Sequence, residues 1–168
     1  MIDLTQDLKI VPVLRYQDLT GGADMYTDSI NMKNYHRATF IIQWHALGVA
    51  DIHLWAYSGT ADATYDSTLP FKYAFGGGQA GAASCDVLTD WTSNLSTGTP
   101  AVVHILNGTY DNFIMVVQVD ASDMDIANQE EWLALDLADT DTNATGNVTI
   151  IAILEPRYKE AMSATALT

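Results

Sequence analysis

The sequence predicts an all-β protein, an antiparallel β-sandwich or jelly roll of about eight strands with little helix. Short apolar runs rich in β-branched and aromatic residues are separated by segments rich in Gly, Asp, Asn, Ser and Thr, which is the pattern of strands and turns. Helical periodicity is weak by comparison. The 168 residues are 48% hydrophobic and only 17% charged, which suits one buried core, so we expect a single domain over residues 1–168.

Each run has the length of a strand, and eight strands are typical of jelly rolls. We expect an extended N-terminal arm (1–20), a C-terminal tail (157–168) and a loop of small residues at 76–84. Ser122 and Asp125 resemble a capping box and predict one helical turn. The predicted strands cover residues 8–16, 38–47, 50–58, 71–77, 101–107, 113–121, 131–138 and 147–156.

The stretch "ATFIIQWHALGVADIHLWAYSG" (38–59) reads as a β-hairpin with a tight turn at Val49. Side chains alternate between the two faces of a strand, so the hairpin has an apolar face and a mixed face. The apolar face, predicted to be core, carries Phe40, Ile42, Trp44, Ile52 and Leu54. The mixed face carries Ile41, Gln43, His45, Leu47, Asp51, His53, Trp55 and Tyr57.

In this hairpin His45 and His53 lie opposite each other, with Cβ atoms ~5 Å apart. Two imidazoles at that spacing can bind zinc or nickel with Asp51 as a third ligand. The competing interpretation is a half-buried sheet face that contacts another chain, for which Trp, Tyr, His and Gln are suitable residues. His104, within "VVHIL", is expected to be a structural residue on a strand.

The charge balance limits the partners. Seven Lys and Arg against 21 Asp and Glu give a net charge of −14, which disfavours nucleic acid and anionic membranes. The N-terminal residues do not read as a signal peptide, and no apolar run approaches the ~20 residues of a membrane span. Cys85 is the only cysteine, so we expect no internal disulfide.

The sequence contains no complete motif for catalysis or metal binding. Residues 136–149 begin like a calcium loop at Asp139, but Ala144 and Ile150 stand where that loop needs Gly and Glu. The acids Asp120, Asp123 and Asp125 are expected in a solvated loop rather than as a glycosidase pair. We therefore expect no enzyme activity, no catalytic, metal-binding or cofactor-binding residues and no cofactor.

The segments "MKNYHRATFIIQWHALGVADIHLWAYSG" (32–59) and "VTIIAILEPRY" (148–158) resemble small β-rich virion proteins of tailed bacteriophages. The resemblance implies a capsid decoration, or cement, protein, made in the host cytoplasm and located on the capsid exterior of the virion. Its implied partners are the major capsid protein and itself, as a homotrimer, without nucleic acid or membrane. No catalytic residues come with this family.

Three alternatives stay open. A carbohydrate-binding β-sandwich would stack sugars on Trp55, Tyr57, Trp91 or Tyr110, with or without calcium. Another virion component, associated with the tail, the head completion or a fibre, would fit the same residues. A cupin-type metalloenzyme would use His45, His53 and His104, but the pair of histidines one residue apart that cupins carry is missing.

Overall fold

The computed structural model describes residues 7–20, 24–77, 86–96, 99–139, 144–158 and 165–167. Three turns of 3-10 helix occur in these ranges, at Met32–Asn34, Ala121–Asp123 and Ile126–Asn128, and no helix there is long and apolar enough to cross a membrane. The strands are β1 (Lys9–Asp18), β2 (Met25–Tyr26), β3 (Ile30–Asn31), β4 (Tyr35–Trp44), β5 (Ile52–Gly59), β6 (Ser67–Leu69), β7 (Lys72–Gly77), β8 (Thr92–Ser93), β9 (Leu95–Ser96), β10 (Thr99–Pro100), β11 (Val103–Ile105), β12 (Phe113–Asp120), β13 (Trp132–Asp139) and β14 (Asn147–Pro156).

The strands form two antiparallel sheets that pack face to face. Sheet A has the order β1-β14-β4-β12-β7-β8, and sheet B has the order β11-β5-β13-β2, with β3 beside β13 and β6 beside β5. A separate ribbon pairs β9 with β10. The predicted all-β sandwich is confirmed, and each of the eight predicted strands overlaps an observed one.

The strand order is that of a jelly roll. Along the chain β1 pairs with β14, β2 and β3 with β13, β4 with β12, and β5 with β11. The strands therefore pair from the two ends of the chain inward, so that its first and second halves form one long antiparallel ribbon of two chain segments running side by side. This ribbon is folded over so that β14 also meets β4 and β13 also meets β5, which is how eight strands close into two layers. β7 and β8 extend sheet A beyond β12.

Alternation of side chains builds the core between the layers. The residues predicted for the apolar face, Phe40, Ile42 and Trp44 from β4 with Ile52 and Leu54 from β5, are all buried. They reach the core from opposite sides, because β4 belongs to sheet A and β5 to sheet B. The predicted burial of these residues is confirmed.

The predicted hairpin over residues 38–59 is wrong. β4 pairs with β14 and β12, whereas β5 pairs with β13, β11 and β6. The chain crosses from one layer to the other between them, where Gly48 bridges to Thr145 and Val49 adopts a φ of 73°. A strand pair within one sheet and a crossing between two sheets produce the same alternation, so the pattern alone does not choose between them.

Parts of the predicted arm and tail belong to the body of the fold. Within the span expected as an arm (1–20), residues 9–18 form β1, which pairs with β14. In the tail, the Arg157 backbone N–H donates to the Asn34 carbonyl at 2.8 Å, and the Ala166 carbonyl accepts from the Asn31 N–H at 2.9 Å. Most of the small-residue segment 76–84, and Cys85, lie outside the described residues.

The predicted helical turn near Ser122 is present as two separate 3-10 turns, and its cap differs from the prediction. Asp125, and not Ser122, caps the second turn by accepting from the Asn128 N–H at 3.2 Å. Gln129 then ends this turn in the left-handed region, with a φ of 61°.

Candidate functional site

The outward face of sheet B is covered by aromatic rings. Alternation on β5 and β13 places these side chains outward while the leucines between them point into the core. We call this surface the aromatic face; its rings are Tyr26 of β2, His53, Trp55 and Tyr57 of β5, His104 of β11, Trp132 of β13 and Tyr65 from the turn that precedes β6.

The tyrosines of this face contact each other. Tyr65 stacks on Tyr26, with ring centroids 3.9 Å apart and an angle of 10° between the planes. Tyr57 meets Tyr65 edge-on at 6.2 Å. The turn that carries Tyr65 is held by Asp66, whose carboxylate accepts from the Thr60 N–H at 2.9 Å. Three tyrosines from β2, β5 and a turn thus form one cluster.

Asp136 lies at the centre of the aromatic face. In the strand register it stands between Tyr26 on β2 and Trp55 on β5. The side chain points to the same side as these rings, yet Asp136 is only 4% exposed. Its Oδ1 atom has no hydrogen-bond partner in the part of the chain that the structure describes. An acid that is buried and incompletely hydrogen-bonded is costly to the fold.

The environment of Asp136 favours the neutral acid. Burial is the main cause, and repulsion by Asp24 adds to it, so that together they raise the pKa of Asp136 from 3.8 to about 7; a hydrogen bond from Tyr26 partly offsets the rise. Burial and the neighbouring carboxylates of Asp136 and Asp24 likewise raise the pKa of Tyr26 to about 12. The pKa of Tyr57 is raised for the same reasons.

The histidines are arranged differently from the prediction. The expected His45–His53 pair is wrong, because the hairpin that would create it does not exist. His53 instead pairs across the strands with His104, with 3.0 Å between Nε2 of His53 and Nδ1 of His104. His53 also meets Trp55 edge-on at 5.3 Å. His45 lies at the end of β4 in sheet A, where its ring contacts Tyr16 at 5.8 Å.

The predicted metal ligands do not come together. Asp51 accepts from the backbone and side-chain N–H groups of Asn107, at 3.0 and 3.1 Å. Within the described ranges no group of three or more His, Cys, Asp or Glu side chains is arranged to hold a metal ion. The cupin-type alternative needs three histidines at one site, and the fold brings only His53 and His104 together.

Two of the four aromatic residues considered for sugar stacking share the aromatic face, namely Trp55 and Tyr57. The other two lie elsewhere. Tyr110 stacks on Phe75 with centroids 4.1 Å apart and packs against the core. Trp91 is exposed just before β8.

The outward face of sheet A carries a patch of aliphatic side chains, interleaved with polar residues such as Gln43 and Thr149. Register places Ile151 beside Ile41, which in turn lies beside Val116. Ile151 and Ile10 are 38% and 49% exposed, and the others are half-buried. We call this surface the aliphatic face; its residues are Ile10, Ile41, Ile114, Val116, Ile151 and Ile153. The mixed face predicted for one hairpin is therefore divided between opposite sides of the sandwich.

The acids considered for glycoside hydrolysis have separate structural contacts. Asp120 forms an ion pair with Arg37 at 2.7 Å across β12 and β4. Asp125 caps a 3-10 turn. Asp123 is largely exposed, and the partial burial of its carboxyl, together with repulsion by Asp120, raises its pKa. Asp139 ends β13 and accepts from the Ala144 N–H at 2.6 Å. Asp141 and Asn143, which follow Asp139 at alternating positions in the stretch that begins like a calcium loop, lie outside the described residues.

A second buried acid, Glu130, accepts a hydrogen bond at each of its two carboxylate oxygens. Its carboxylate accepts from the hydroxyl of Ser58 and, at 3.0 Å, from the hydroxyl of Ser67. Glu130 also borders a cleft of about 150 Å³ that is lined by Met32, Met124 and Arg157. Because both of its oxygens have partners, Glu130 ties the segment after the 3-10 turns to β5 and β6.

Sequence reasoning overlooked Asp136, Tyr26 and Tyr65. Asp136 had a visible signal, since it is the one acid inside the leucine-rich strand "WLALDLA" (132–138). Tyr26 and Tyr65 had none, because they come from a two-residue strand and a turn that alternation does not detect.

No protein-family model and no curated protein matches the chain. Among the solved structures that it resembles is one of the infectious bursal disease virus Gx strain, with 10% identity and a TM-score of 0.24 over 94% of this chain and 42% of that chain. Another is the VP2 subviral particle of infectious bursal disease virus, with 7% identity and a TM-score of 0.19 over 95% and 43%. The chain spans about two-fifths of the length of these proteins. The assignment of the chain to the jelly rolls rests on its own strand order.

Proposed function

We propose that this chain is a structural virion protein that decorates the outer surface of a tailed-phage capsid and stabilises contacts between major capsid protein subunits. The single observation that carries the proposal is a stiff two-layer fold with two outward faces, one aliphatic and one aromatic, whose apolar side chains are only partly buried. The segments that resemble phage virion proteins supply β4, β5 and β14, the strands at the centre of both layers.

Such a molecule can contact two neighbours at once. Covering apolar surface stabilises a contact by roughly 25 cal/mol per Å² removed from water. A protein that binds only the assembled shell shifts the equilibrium toward that shell by mass action. These properties suit a cement protein, whose role needs rigid shape and contact area instead of a reactive group.

We assign the aliphatic face to contacts between copies of this chain, in a homotrimer. Interfaces between identical subunits are more apolar than other interfaces, and closed symmetry is the usual arrangement. The isoleucines around Ile151 fit this description. The aromatic face is then the surface that remains for the major capsid protein.

The test mixes the purified chain with capsids assembled from the major capsid protein that the same genome encodes. We expect the chain to pellet with the capsids, to appear as added density on their exterior in electron micrographs, and to raise the temperature at which they disassemble. Density confined to a tail or fibre would favour the other virion role, and absence of binding to any particle would contradict the proposal.

A carbohydrate-binding function is the second candidate, and the aromatic face favours it. Trp55 and Tyr57 lie on one sheet surface with the carboxylate of Asp136 between Trp55 and Tyr26, and flat rings with nearby acceptors suit the apolar face and hydroxyls of a sugar. A glycan array, together with the melting temperature measured with and without calcium, separates this function from the structural one.

A further inference from the structure

Within the described part of the chain, the Asp136 carboxylate is incompletely hydrogen-bonded. Buried polar groups in folded proteins nearly always have partners, so an exception calls for an explanation. Asp136 is 4% exposed, and its Oδ1 has no partner among the residues described. The strand register directs this side chain outward, toward the surface where a partner molecule would lie. A donor supplied from outside would complete its hydrogen bonding.

The rings around Asp136 identify the kind of donor. Tyr26 and Trp55 flank it in the register, and Tyr65 stacks on Tyr26. The faces of aromatic rings carry negative potential and attract cations, with Trp the strongest and Tyr also effective. A carboxylate among such rings has the composition of a site for an ammonium or guanidinium group.

The charges around the face point the same way. Asp24 acts electrostatically on Asp136, Tyr26 and Tyr57, while Asp62 and Asp28 act on Tyr65. Among the described residues, every charged side chain that shifts these four groups is an acid, and the whole chain carries a net charge of −14. This negative electrostatic potential does not strengthen the binding of a neutral sugar, whereas each of these acids attracts a bound cation.

We propose that the aromatic face is a docking surface for a lysine or arginine side chain of a protein partner, whose cation lies against the rings and donates to Asp136. Tyr65, which stacks on Tyr26, is carried by the turn before β6 and not by a strand. The partner's identity as the major capsid protein rests on the proposed function; the cation site itself does not.

The experiment titrates the full chain with hexalysine, using calorimetry and tryptophan fluorescence. The matched probe is hexalysine with all six side chains acetylated, which keeps the length and removes the charge. Cellohexaose serves as the sugar probe. We expect hexalysine alone to bind, with an affinity that falls as salt is added and rises as pH increases through 7, because the bound cation favours the ionised Asp136.

Two pairs of variants locate the binding. Asp136→Asn is expected to weaken hexalysine binding about tenfold, which is about 1.4 kcal/mol, while Asp90→Asn removes one exposed acid elsewhere and changes it less than about twofold. Trp55→Ala is expected to weaken binding and Trp91→Ala to leave it unchanged. Circular dichroism shows whether each variant is folded, and the near-isosteric Asp136→Asn keeps the test valid should Trp55→Ala fail to fold.

Equal effects of Asp136→Asn and Asp90→Asn would overturn the proposal, since binding would then follow only net charge. Binding of cellohexaose or of the acetylated peptide through Trp55 would overturn it in favour of a neutral ligand. If Asp136→Asn pellets with capsids as well as the original chain does, the major capsid protein is not the partner of the cation site, and the virion role is unaffected. If the chain does not pellet with capsids, but Asp136→Asn weakens hexalysine binding as expected, the proposed virion role is contradicted and the cation site is supported.

Discussion

Replacing Asp136 with Asn should stabilise the chain above neutral pH. The carboxylate is 4% exposed and its pKa is about 7, against 3.8 when it is freely solvated. One pKa unit corresponds to about 1.4 kcal/mol, so keeping this group ionised in the fold costs up to about 4 kcal/mol. Asn has nearly the same shape and no charge, and so escapes that cost.

The dependence on pH follows from the direction of the change. Because the folded chain holds the Asp136 proton more tightly than the unfolded chain, its stability falls as pH rises from 3.8 to about 7. Below that window both states are protonated, and Asp136→Asn has little effect on the free energy of unfolding. Above it the full cost is present, and the variant should gain up to about 4 kcal/mol.

The assay is urea unfolding of both chains at pH 5 and pH 8, followed by circular dichroism. A gain of about 4 kcal/mol corresponds to roughly 10 °C in melting temperature for a chain of this size. Asp90→Asn, an exposed substitution, should stay within about 0.5 kcal/mol at both pH values. An advantage of Asp136→Asn that is equal at pH 5 and pH 8, or a loss at both, would refute the reasoning.

Other ionisable groups near Asp136 are controlled in the same assay. Burial raises the pKa of each neighbouring tyrosine, so these rings stay neutral from pH 5 to pH 8. Imidazoles titrate within this range, so the two chains are also compared in a His53→Gln background. The groups around Asp136 are Asp24 and Tyr26 at β2, His53 and Tyr57 on β5, and Tyr65 in the turn before β6.

Three further outcomes are expected. Glu130→Ala leaves the buried hydroxyl of Ser58 without its acceptor and should cost about 2–3 kcal/mol in urea unfolding; no loss would show that water replaces the carboxylate. Phe40→Ala removes a fully buried ring between the sheets and should cost about 3–5 kcal/mol, whereas Ile126→Ala on the surface should change stability by less than about 0.5 kcal/mol. Ile151→Glu places a charge on the aliphatic face and should convert the proposed trimer to monomers by light scattering; a trimer that survives it would move the contact elsewhere.

Much of the fold was predictable because alternation reports burial. The inward positions of Phe40, Trp44 and Leu54 follow from the pattern and are observed in the core. The same pattern does not report which strand is the neighbour, and this is why the assumed turn at Val49 gave the wrong pairing. Pairing in this fold joins distant segments, so local sequence carries little information about it.

The candidate site was predictable only in part. Trp55 and Tyr57 were expected on a half-buried surface and lie on one. His53 was expected to pair with a histidine, but its partner, His104, is 51 residues away along the chain. The stacking of Tyr65 on Tyr26 depends on how a turn folds over a sheet edge, which no periodicity in the sequence encodes.

The pairing of β1 with β14 bears on how the molecule is made. Lys9 lies beside Leu154, so β1 is synthesised long before the strand with which it pairs. Until β14 is inserted between β1 and β4, the inner surface of sheet A is exposed next to β4. Contacts between residues so far apart in sequence form slowly. The nascent chain must therefore stay soluble with an incomplete sheet, and its fourteen surplus negative charges keep such chains apart during that interval.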